Sequence, residues 1–215
     1  MKDYKGLVGG VTGAANGIGK AFAIYAASLG MKLCIIDIEA ENLEKTKAEC
    51  EAAGAEKVIA IATDLTEKEN VKMTVDRMLE EYGKIDLFYS NAGVATGGTI
   101  DNMPLHEWDW VYAVNTLAMS YYATLLLPIF KKQGTEADLI FTSSIGGEIM
   151  GASYQTAYTC SKHATSALAE ACKHYADNYA PNIRVTCFCP EYINTTIWNG
   201  PARRPARFYE EGNPF

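Results

Sequence analysis

The chain has 215 residues, 48% of them hydrophobic and 21% charged, which is the composition of a globular protein large enough for one α/β domain. Its formal net charge of −7 argues against a nucleic-acid partner, because affinity for phosphate backbones depends on clustered lysine and arginine. Apolar runs such as LLLPIF are too short to cross a bilayer, and no signal peptide precedes the first predicted strand. We therefore expect a cytoplasmic protein without a membrane partner.

Apolar, strand-like segments alternate with helical segments along the chain. The predicted strands are Leu7–Val11, Lys32–Ile36, Lys57–Ala62, Ile85–Ser90, Asp138–Thr142 and Arg184–Cys189. The predicted helices are Gly17–Leu29, Ala40–Ala53, Glu67–Tyr82, Leu105–Lys132 and Tyr154–Asn178. A capping box of Thr66 and Glu69 would open the third helix. This alternation predicts an α/β fold, a Rossmann-type doubly wound parallel sheet with helices on both faces, formed by residues 1–215 as a single domain.

The first strand runs into VTGAANGIGKAF, where Gly13, Gly17 and Gly19 fall within seven residues. A strand, a tight glycine turn and a helix start are typical of a phosphate-binding site, because the helix N-terminus offers free N–H groups to an anion. The spacing is G-x-x-x-G-x-G rather than the commoner G-x-G-x-x-G, so a simple connecting loop remains an alternative. Gly9 and Gly10 within the strand suggest close packing against a neighbouring helix.

Asp37 ends the second predicted strand, 24 residues after Gly13. An acid at this place accepts hydrogen bonds from the adenosine ribose of a dinucleotide, and its charge would repel a 2′-phosphate. No lysine or arginine follows it directly in IEAEN, so the sequence favours NAD over NADP. The alternative is a solvated acid in a turn.

Tyr158 and Lys162 stand one turn apart in the last predicted helix. A tyrosine pKa is near ~10, and a neighbouring ammonium group should lower it. Such a pair suits a general acid/base that acts on an alcohol or a ketone. The Y-x-x-x-K pattern is common on helix surfaces and does not by itself indicate a catalytic pair. The catalytic interpretation is favoured because polar residues also cluster at the ends of several predicted strands, where open parallel sheets bind ligands.

Taken together, these elements resemble the short-chain dehydrogenases/reductases. The matching elements follow the order of that family: Thr12–Gly19, Asp37, Asp64–Leu65, Asn91–Gly93, Asn115, Ser144, Tyr158-x-x-x-Lys162 and CPEYINT. Each motif is weak alone, but the set spans nearly the whole chain.

The resemblance implies a catalytic set of Asn115, Ser144, Tyr158 and Lys162. Tyr158 would be the general acid/base, Lys162 would bind the nicotinamide ribose and lower the Tyr158 pKa, and Ser144 would bind the substrate oxygen. Asn115 would hold a helix kink and a water that relays protons. The implied cofactor contacts are Gly13, Asn16, Gly17, Ile18, Gly19, Asp37, Asp64, Leu65, Asn91, Ala92, Gly93, Tyr158, Lys162, Pro190, Ile193 and Thr195. The implied substrate contacts are Ser144, Ile145, Tyr154, Tyr158, Glu191 and Trp198.

The C-terminal part departs from the family pattern. Glu191 replaces a glycine of the family, and its side chain either shapes the substrate pocket or points to solvent. Residues from about 191 to 215 would form a substrate lid, and we expect the sheet formed by these residues to lack the family's last strand. Arg203, Arg204 and Arg207 would attract a substrate carboxylate or, alternatively, belong to a solvated basic loop.

The resemblance implies an oxidoreductase that moves hydride between NAD(H) and a secondary alcohol or ketone. We expect a bulky apolar substrate such as a hydroxysteroid or bile acid, with a sugar or polyol dehydrogenase or a 3-ketoacyl reductase as alternatives. The alternative outside the enzymes is a protein that binds NAD without turnover and acts as a regulator or scaffold. A homodimer or homotetramer would form through the helices at 105–132 and 154–178.

The six cysteines form no C-x-x-C pair, and the sequence predicts no metal site. Cys187 and Cys189 lie two apart in a predicted strand, so both side chains should face the same side of the sheet. We expect them to be reduced thiols that fill the core.

Overall fold

Six parallel strands form one sheet in the order β3-β2-β1-β4-β5-β6 in the computed structural model, which describes residues 3–149 and 153–209. The strands are β1 (Val8–Thr12), β2 (Lys32–Asp37), β3 (Lys57–Ala62), β4 (Leu87–Ser90), β5 (Ala137–Thr142) and β6 (Ile183–Phe188). The helices are α1 (Gly17–Ser28), α2 (Ala40–Ala53), α3 (Lys68–Tyr82), α4 (Leu105–Tyr112), α5 (Ala118–Gln133) and α6 (Thr156–Tyr179).

Helices cover the sheet on two faces, as a doubly wound sheet requires. Residues of α1 and α2 pack with one face of β1 and β2, and residues of α3, α5 and α6 form a second core with the other face. All five residues of β1 are buried, because the central strand is covered from both sides. The predicted α/β fold is confirmed.

The strand order reverses between β1 and β4, where the chain crosses from β3 to the other half of the sheet. Thr12 fixes this point, because its Oγ1 accepts hydrogen bonds from the backbone N–H groups of Asn91 (2.9 Å) and Ala92 (3.0 Å). The carboxyl ends of parallel strands diverge at such a point and leave a crevice for a ligand.

The glycines in β1 pack against side chains. A Cβ on Gly10 would lie 2.5 Å from a ring carbon of Phe88 on β4 and 2.9 Å from the end of Met78 on α3. A Cβ on Gly9 would meet Met31 and Leu33 at 3.0 and 3.2 Å. Gly10 therefore makes the expected close contact with a helix, through Met78. The other close neighbours of Gly9 and Gly10 lie on β2 and β4 or, in the case of Met31, directly before β2.

The predicted capping box of Thr66 and Glu69 is wrong. The Thr66 hydroxyl and backbone N–H both donate to Oδ1 of Asp64, at 2.7 and 2.9 Å. Glu67 occupies the N-cap position of α3, and its side chain makes no capping hydrogen bond. An acid two residues upstream therefore holds the threonine in a turn before the helix.

The predicted helix at 105–132 is continuous but contains a π turn, Ala113–Leu117, between α4 and α5. This turn widens the helix by one residue and contains Asn115. The whole run from 105 to 133 is long and apolar enough by composition to span a membrane, unlike the short runs considered above. Half of its most apolar stretch is buried within the protein, which is typical of a core helix.

Cys187 and Cys189 face the same side of the sheet as predicted, with their sulfur atoms 3.6 Å apart. Both are half-buried rather than enclosed, since Cys187 only borders the core and Cys189 follows the end of β6. The prediction that both thiols fill the core is therefore wrong.

Candidate active site

A cleft of about 490 Å³ opens at the carboxyl edge of the sheet, and residues 190–209, here called the closing segment, contribute its outer wall. Most predicted site residues line this cleft: Gly13, Asn16, Gly17, Ile18, Asp37, Asp64, Leu65, Asn91, Ala92, Gly93, Ser144, Ile145, Tyr158, Lys162, Pro190, Glu191, Ile193, Thr195 and Trp198. Gly19, Asn115 and Tyr154 do not line it. Gly19 and Asn115 support the cleft from behind, and the Tyr154 side chain is exposed.

In the glycine turn after β1, two glycines allow the backbone to lie very close to other backbone atoms. Gly13 has φ +67°, and a Cβ there would lie 2.8 Å from the Cα of Ala92. A Cβ on Gly19 would lie 2.2 Å from the carbonyl oxygen of Gly13. Gly19 therefore brings the first turn of α1 against the glycine turn.

The N-terminus of α1 faces the cleft without a side-chain cap. Asn16 is the N-cap residue, but its amide donates to Glu39 (3.1 Å) and makes no capping hydrogen bond. The first turn of α1 also contains no acidic residue. Its N–H groups and the positive end of the helix dipole can therefore bind an anion such as a phosphate.

The carboxylate of Asp37 lies at the end of β2 beside this turn. Its Oδ2 accepts the backbone N–H of Ala15 (2.9 Å), and its Oδ1 accepts that of Glu39 (3.0 Å). Burial raises the pKa of Asp37, while these backbone hydrogen bonds oppose the rise. The acid thus orders the glycine turn and also presents a carboxylate to the cleft.

Ser144, Tyr158 and Lys162 meet at the other end of the cleft. The Ser144 hydroxyl accepts the N–H of Gly146 at 3.2 Å and lies close enough to the Tyr158 phenol to lower its pKa. Lys162 is almost completely buried and donates from Nζ to the carbonyl oxygen of Thr142 at 2.8 Å. Its Nζ lies 5.8 Å from the centroid of the Tyr158 ring. The predicted pair therefore shares one face of α6.

Burial controls the acidity of this pair. It raises the pKa of Tyr158 above its usual range, and only the hydrogen bond from Ser144 lowers it appreciably. Burial also lowers the pKa of Lys162 from its usual 10.5 to about 8. The sequence predicted a lowered pKa for Tyr158, whereas the structure gives a raised pKa, because burial is the largest contribution.

Asn115 joins three segments behind the cleft. Its amide oxygen accepts the N–H of Val94 (2.8 Å), and its amide nitrogen donates to the Val94 carbonyl (2.9 Å) and to Ser161 Oγ (3.0 Å). The π turn presents this side chain towards both partners. Asn115 thus connects the loop after β4 to α6, one residue before Lys162.

The two neighbouring serines after β5 have different environments. The Ser143 hydroxyl contacts the Lys162 carbonyl and Ser166 Oγ, each at 2.8 Å, and is almost completely buried. Ser144 instead contacts Tyr158. The geometry favours Ser144 as the serine that can reach a bound substrate.

Each arginine of the closing segment is paired with an acid of the protein. Arg203 contacts Glu39 (2.5 Å), Arg204 contacts Glu107, and Arg207 contacts both Asp64 and Glu67 (3.0 Å each). Because each guanidinium already has an acidic partner, the expected attraction for a substrate carboxylate loses its support. The alternative of a solvated basic loop fits the exposed Arg207 but not the buried Arg204. Their partners lie far away in sequence, and no local pattern indicated them. Residues 210–215 of the predicted lid lie outside the described residues.

The Arg204 guanidinium also lies over the rings of Trp110 (4.5 Å) and Tyr209 (5.1 Å). The side chain of Arg204 is 2% exposed, whereas that of Arg207 is 42% exposed. The closing segment is therefore anchored most firmly at Arg204.

The fold and this cleft define an oxidoreductase of the doubly wound α/β class. The family model described as short chain dehydrogenase matches residues 8–204. The chain belongs to the short-chain dehydrogenase/reductase family, whose members act on CH–OH groups.

The similar proteins cover between 88% and 100% of the chain. The CLA biosynthesis dehydrogenase/reductase of Lactiplantibacillus plantarum is 33% identical over 215 residues, which are 100% of this chain and 74% of that relative. The 1-deoxy-11-beta-hydroxypentalenate dehydrogenase of Streptomyces exfoliatus is 34% identical over 88% of this chain and 68% of its own length. A short chain dehydrogenase/reductase from Burkholderia phymatum, solved in complex with NAD, has a TM-score of 0.95 and 33% identity, over 100% of this chain and 76% of its own.

Proposed function

We propose that the chain transfers hydride between NAD(H) and a secondary alcohol or ketone. The observation that carries this proposal is the convergence of Ser144, Tyr158 and Lys162 in the same cleft as an uncapped helix N-terminus and Asp37. One end of the cleft suits a phosphate and a ribose, and the other suits proton transfer to an oxygen atom.

The residues around the glycine turn fit a dinucleotide. Gly13 lets the turn lie against the backbone of Ala92, which a Cβ would prevent, and the N–H groups of α1 would bind the pyrophosphate. Asp64 and Leu65 would contact the adenine, while Ile193 and Thr195 would contact the nicotinamide end. NAD supplies hydride transfer at its nicotinamide ring when bound. The NAD complex of the similar Burkholderia phymatum protein supports this assignment.

We assign the preference for NAD over NADP to Asp37. A carboxylate that accepts ribose hydroxyls would repel a 2′-phosphate. Arg203 lies nearby in the folded chain, but its guanidinium is paired with Glu39. Relative affinities for NADH and NADPH, measured by fluorescence titration, test this assignment. Asp37→Ser should weaken NADH binding and narrow the difference between the two cofactors.

We assign proton transfer to the Tyr158 hydroxyl, oriented by Ser144. The raised pKa keeps the phenol protonated at neutral pH, and this is the form that donates a proton to a carbonyl oxygen during reduction. Lys162, with its pKa near 8, remains mostly protonated at pH 7 and would bind the ribose hydroxyls of the nicotinamide nucleotide. We therefore expect ketone reduction to dominate at neutral pH and alcohol oxidation to accelerate as the pH rises.

The substrate side of the cleft supports a bulky apolar ketone, such as a ketosteroid. The residues that line this side of the cleft include Ile145, Trp110 and Trp198. The expected attraction for a bile-acid carboxylate loses its support, because the arginines already have acidic partners. Sugar or polyol dehydrogenase and 3-ketoacyl reductase remain the alternatives within the family.

The test is reduced-nicotinamide absorbance with a panel of steroid, aliphatic, polyol and 3-ketoacyl substrates, with NAD(H) and NADP(H). Tyr158→Phe should lower turnover roughly 10²–10⁴-fold while NADH binding is retained. Tyr112→Phe, which removes another half-buried phenol, is the matched control. NADH binding without turnover of any substrate would instead favour a regulator or scaffold.

We also propose a homodimer or homotetramer joined through the α4–α5 run and α6. Leu117 and Tyr179 are exposed apolar side chains on these elements. Sedimentation velocity tests the proposal, and a monomer at micromolar concentration would contradict it.

A further inference from the structure

A cluster of possible metal ligands lies outside the cleft, beside the end of β6. It consists of the thiols of Cys187 and Cys189 and the carboxylate of Glu148, whose ligand atoms all lie within 4.8 Å of one another. The two sulfur atoms are 3.6 Å apart, and Sγ of Cys189 is 3.4 Å from Oε1 of Glu148. None of the three residues lines the cleft.

These separations match a tetrahedral zinc site. Zinc–sulfur bonds of ~2.3 Å place two thiolates about 3.8 Å apart on a tetrahedral ion, and a thiolate and a carboxylate oxygen about 3.6 Å apart. These two observed distances are a few tenths of an ångström shorter, and the third separation, from Cys187 Sγ to the Glu148 carboxylate, lies within 4.8 Å. Rotation of the exposed Glu148 side chain would admit the ion. The sequence shows only a C-x-C pair, because Glu148 is 41 positions from Cys189.

We propose that Cys187, Cys189 and Glu148 bind one zinc ion, with water in the fourth position. Two thiolates select a thiophilic cation over magnesium or calcium, and the carboxylate completes a set that zinc accepts. Three anionic ligands leave the occupied site with one negative charge, and the nearby Lys162 ammonium compensates for it.

The surroundings of the cluster support a cation. Ser166 provides an outer hydroxyl, which lies 3.9 Å from the Cys187 sulfur. Such outer contacts orient metal ligands.

The ion would fasten together two segments that lead into the cleft. Glu148 follows the turn after β5 that carries Ser144, and Cys189 immediately precedes Pro190. One backbone hydrogen bond already joins these segments, from the N–H of Ile145 to the carbonyl of Pro190 (3.0 Å). Because the metal would bind only the folded arrangement, it should stabilise the protein.

The experiment is a cobalt titration of the full, tag-free chain, kept reduced with a phosphine, followed by displacement with zinc. Cobalt bound by two thiolates gives a sulfur-to-metal charge-transfer band, which reports the ligands independently of enzyme activity. The test variants are Cys187→Ser, Cys189→Ser and Glu148→Gln. Cys160→Ser and Glu170→Gln are the controls, because they remove a half-buried thiol and an exposed carboxylate outside the cluster.

We expect one equivalent of cobalt with a charge-transfer band in the wild type and in both controls, and a rise in Tm on zinc addition. Each cysteine variant should lose most of the band, and Glu148→Gln should bind zinc about 10-fold more weakly. Glu148 is exposed, so its variant remains informative if a cysteine variant fails to fold. Wild-type protein without the band, or unchanged cobalt binding in Glu148→Gln and the cysteine variants, would overturn the proposal. NADH binding, measured in parallel, reports on the proposed function separately.

Discussion

The two walls of the cleft are held in place by different physical means. The wall formed by the glycine turn and β4 depends on backbone contacts between residues with small or no side chains, such as Gly13 against Ala92. The closing segment depends on long side chains, whose arginines reach acids on distant elements. The residues of the first arrangement belong to short motifs that the sequence shows, although Gly13 and Ala92 meet only in the folded chain. The acidic partners of the arginines belong to no such motif.

The largest expected effect concerns the buried anchor of the closing segment. Arg204→Met leaves the buried Glu107 carboxylate without its cation and should cost about 3–5 kcal/mol of unfolding free energy. Arg207→Met, whose ion pairs are exposed, should cost less than about 1 kcal/mol. Urea denaturation of both variants measures the difference. Equal losses would show that the closing segment is not anchored at Arg204.

A second prediction concerns Lys162, which lies between the two walls. The folded protein binds fewer protons than the unfolded chain between pH 8 and 10.5, because burial lowers the Lys162 pKa to about 8. The stability of the wild type should therefore rise relative to Lys162→Met by about 3 kcal/mol across this window. Urea denaturation at several pH values measures this change. Lys173→Met, which removes an exposed lysine of α6, is the control, and a rise of equal size there would contradict the assignment to burial.

A third prediction tests the glycine wall with a matched pair. Gly13 and Gly134 have similar positive φ angles of +67° and +70°, but a Cβ on Gly134 meets no atom within 4 Å. Alanine at either position should cost about 1–2 kcal/mol for its backbone conformation. Gly13→Ala should lose about 1–3 kcal/mol more, because its Cβ meets the backbone. It should also lose NADH affinity, which Gly134→Ala should retain; equal stability and affinity in the two variants would contradict the close-approach argument.

The smallest expected effect is at Glu191, an exposed residue on the closing segment. Glu191→Gly should change the KM for the ketone several-fold and leave the dissociation constant of NADH nearly unchanged. Steady-state kinetics and NADH titration separate the two quantities. Parallel changes in both would mean that Glu191 acts on the cofactor instead.

The sequence predicted the features that depend on local pattern. All six strands and all predicted helices occur within a few residues of their expected positions, because alternating apolar segments report burial directly. The glycine turn, Asp37 and the Tyr158–Lys162 pair were predictable for the same reason, since each is a short pattern next to a predicted element.

Features that depend on distant partners were not predictable. Arg204 and Glu107 are 97 residues apart, and the cluster at Cys189 includes Glu148 from another loop. The pKa of Tyr158 was predicted in the wrong direction because the sequence shows the neighbouring charge but not the depth of burial. The resemblance implied a helix kink at Asn115 but not its form as a π turn, since one additional residue leaves the apolar pattern of a long helix nearly intact.

That additional residue lies where the helix could lose it without a change of register beyond. A π turn absorbs one extra residue, so α4 and α5 present the same faces that they would in a regular helix. Deleting one residue between Ala113 and Leu117 should therefore leave Tyr122 in contact with the Thr74 hydroxyl (2.7 Å), but should move the Asn115 amide away from Val94 and Ser161. A deletion here would thus separate the packing of the long helix from the connection that Asn115 makes between the loop after β4 and α6.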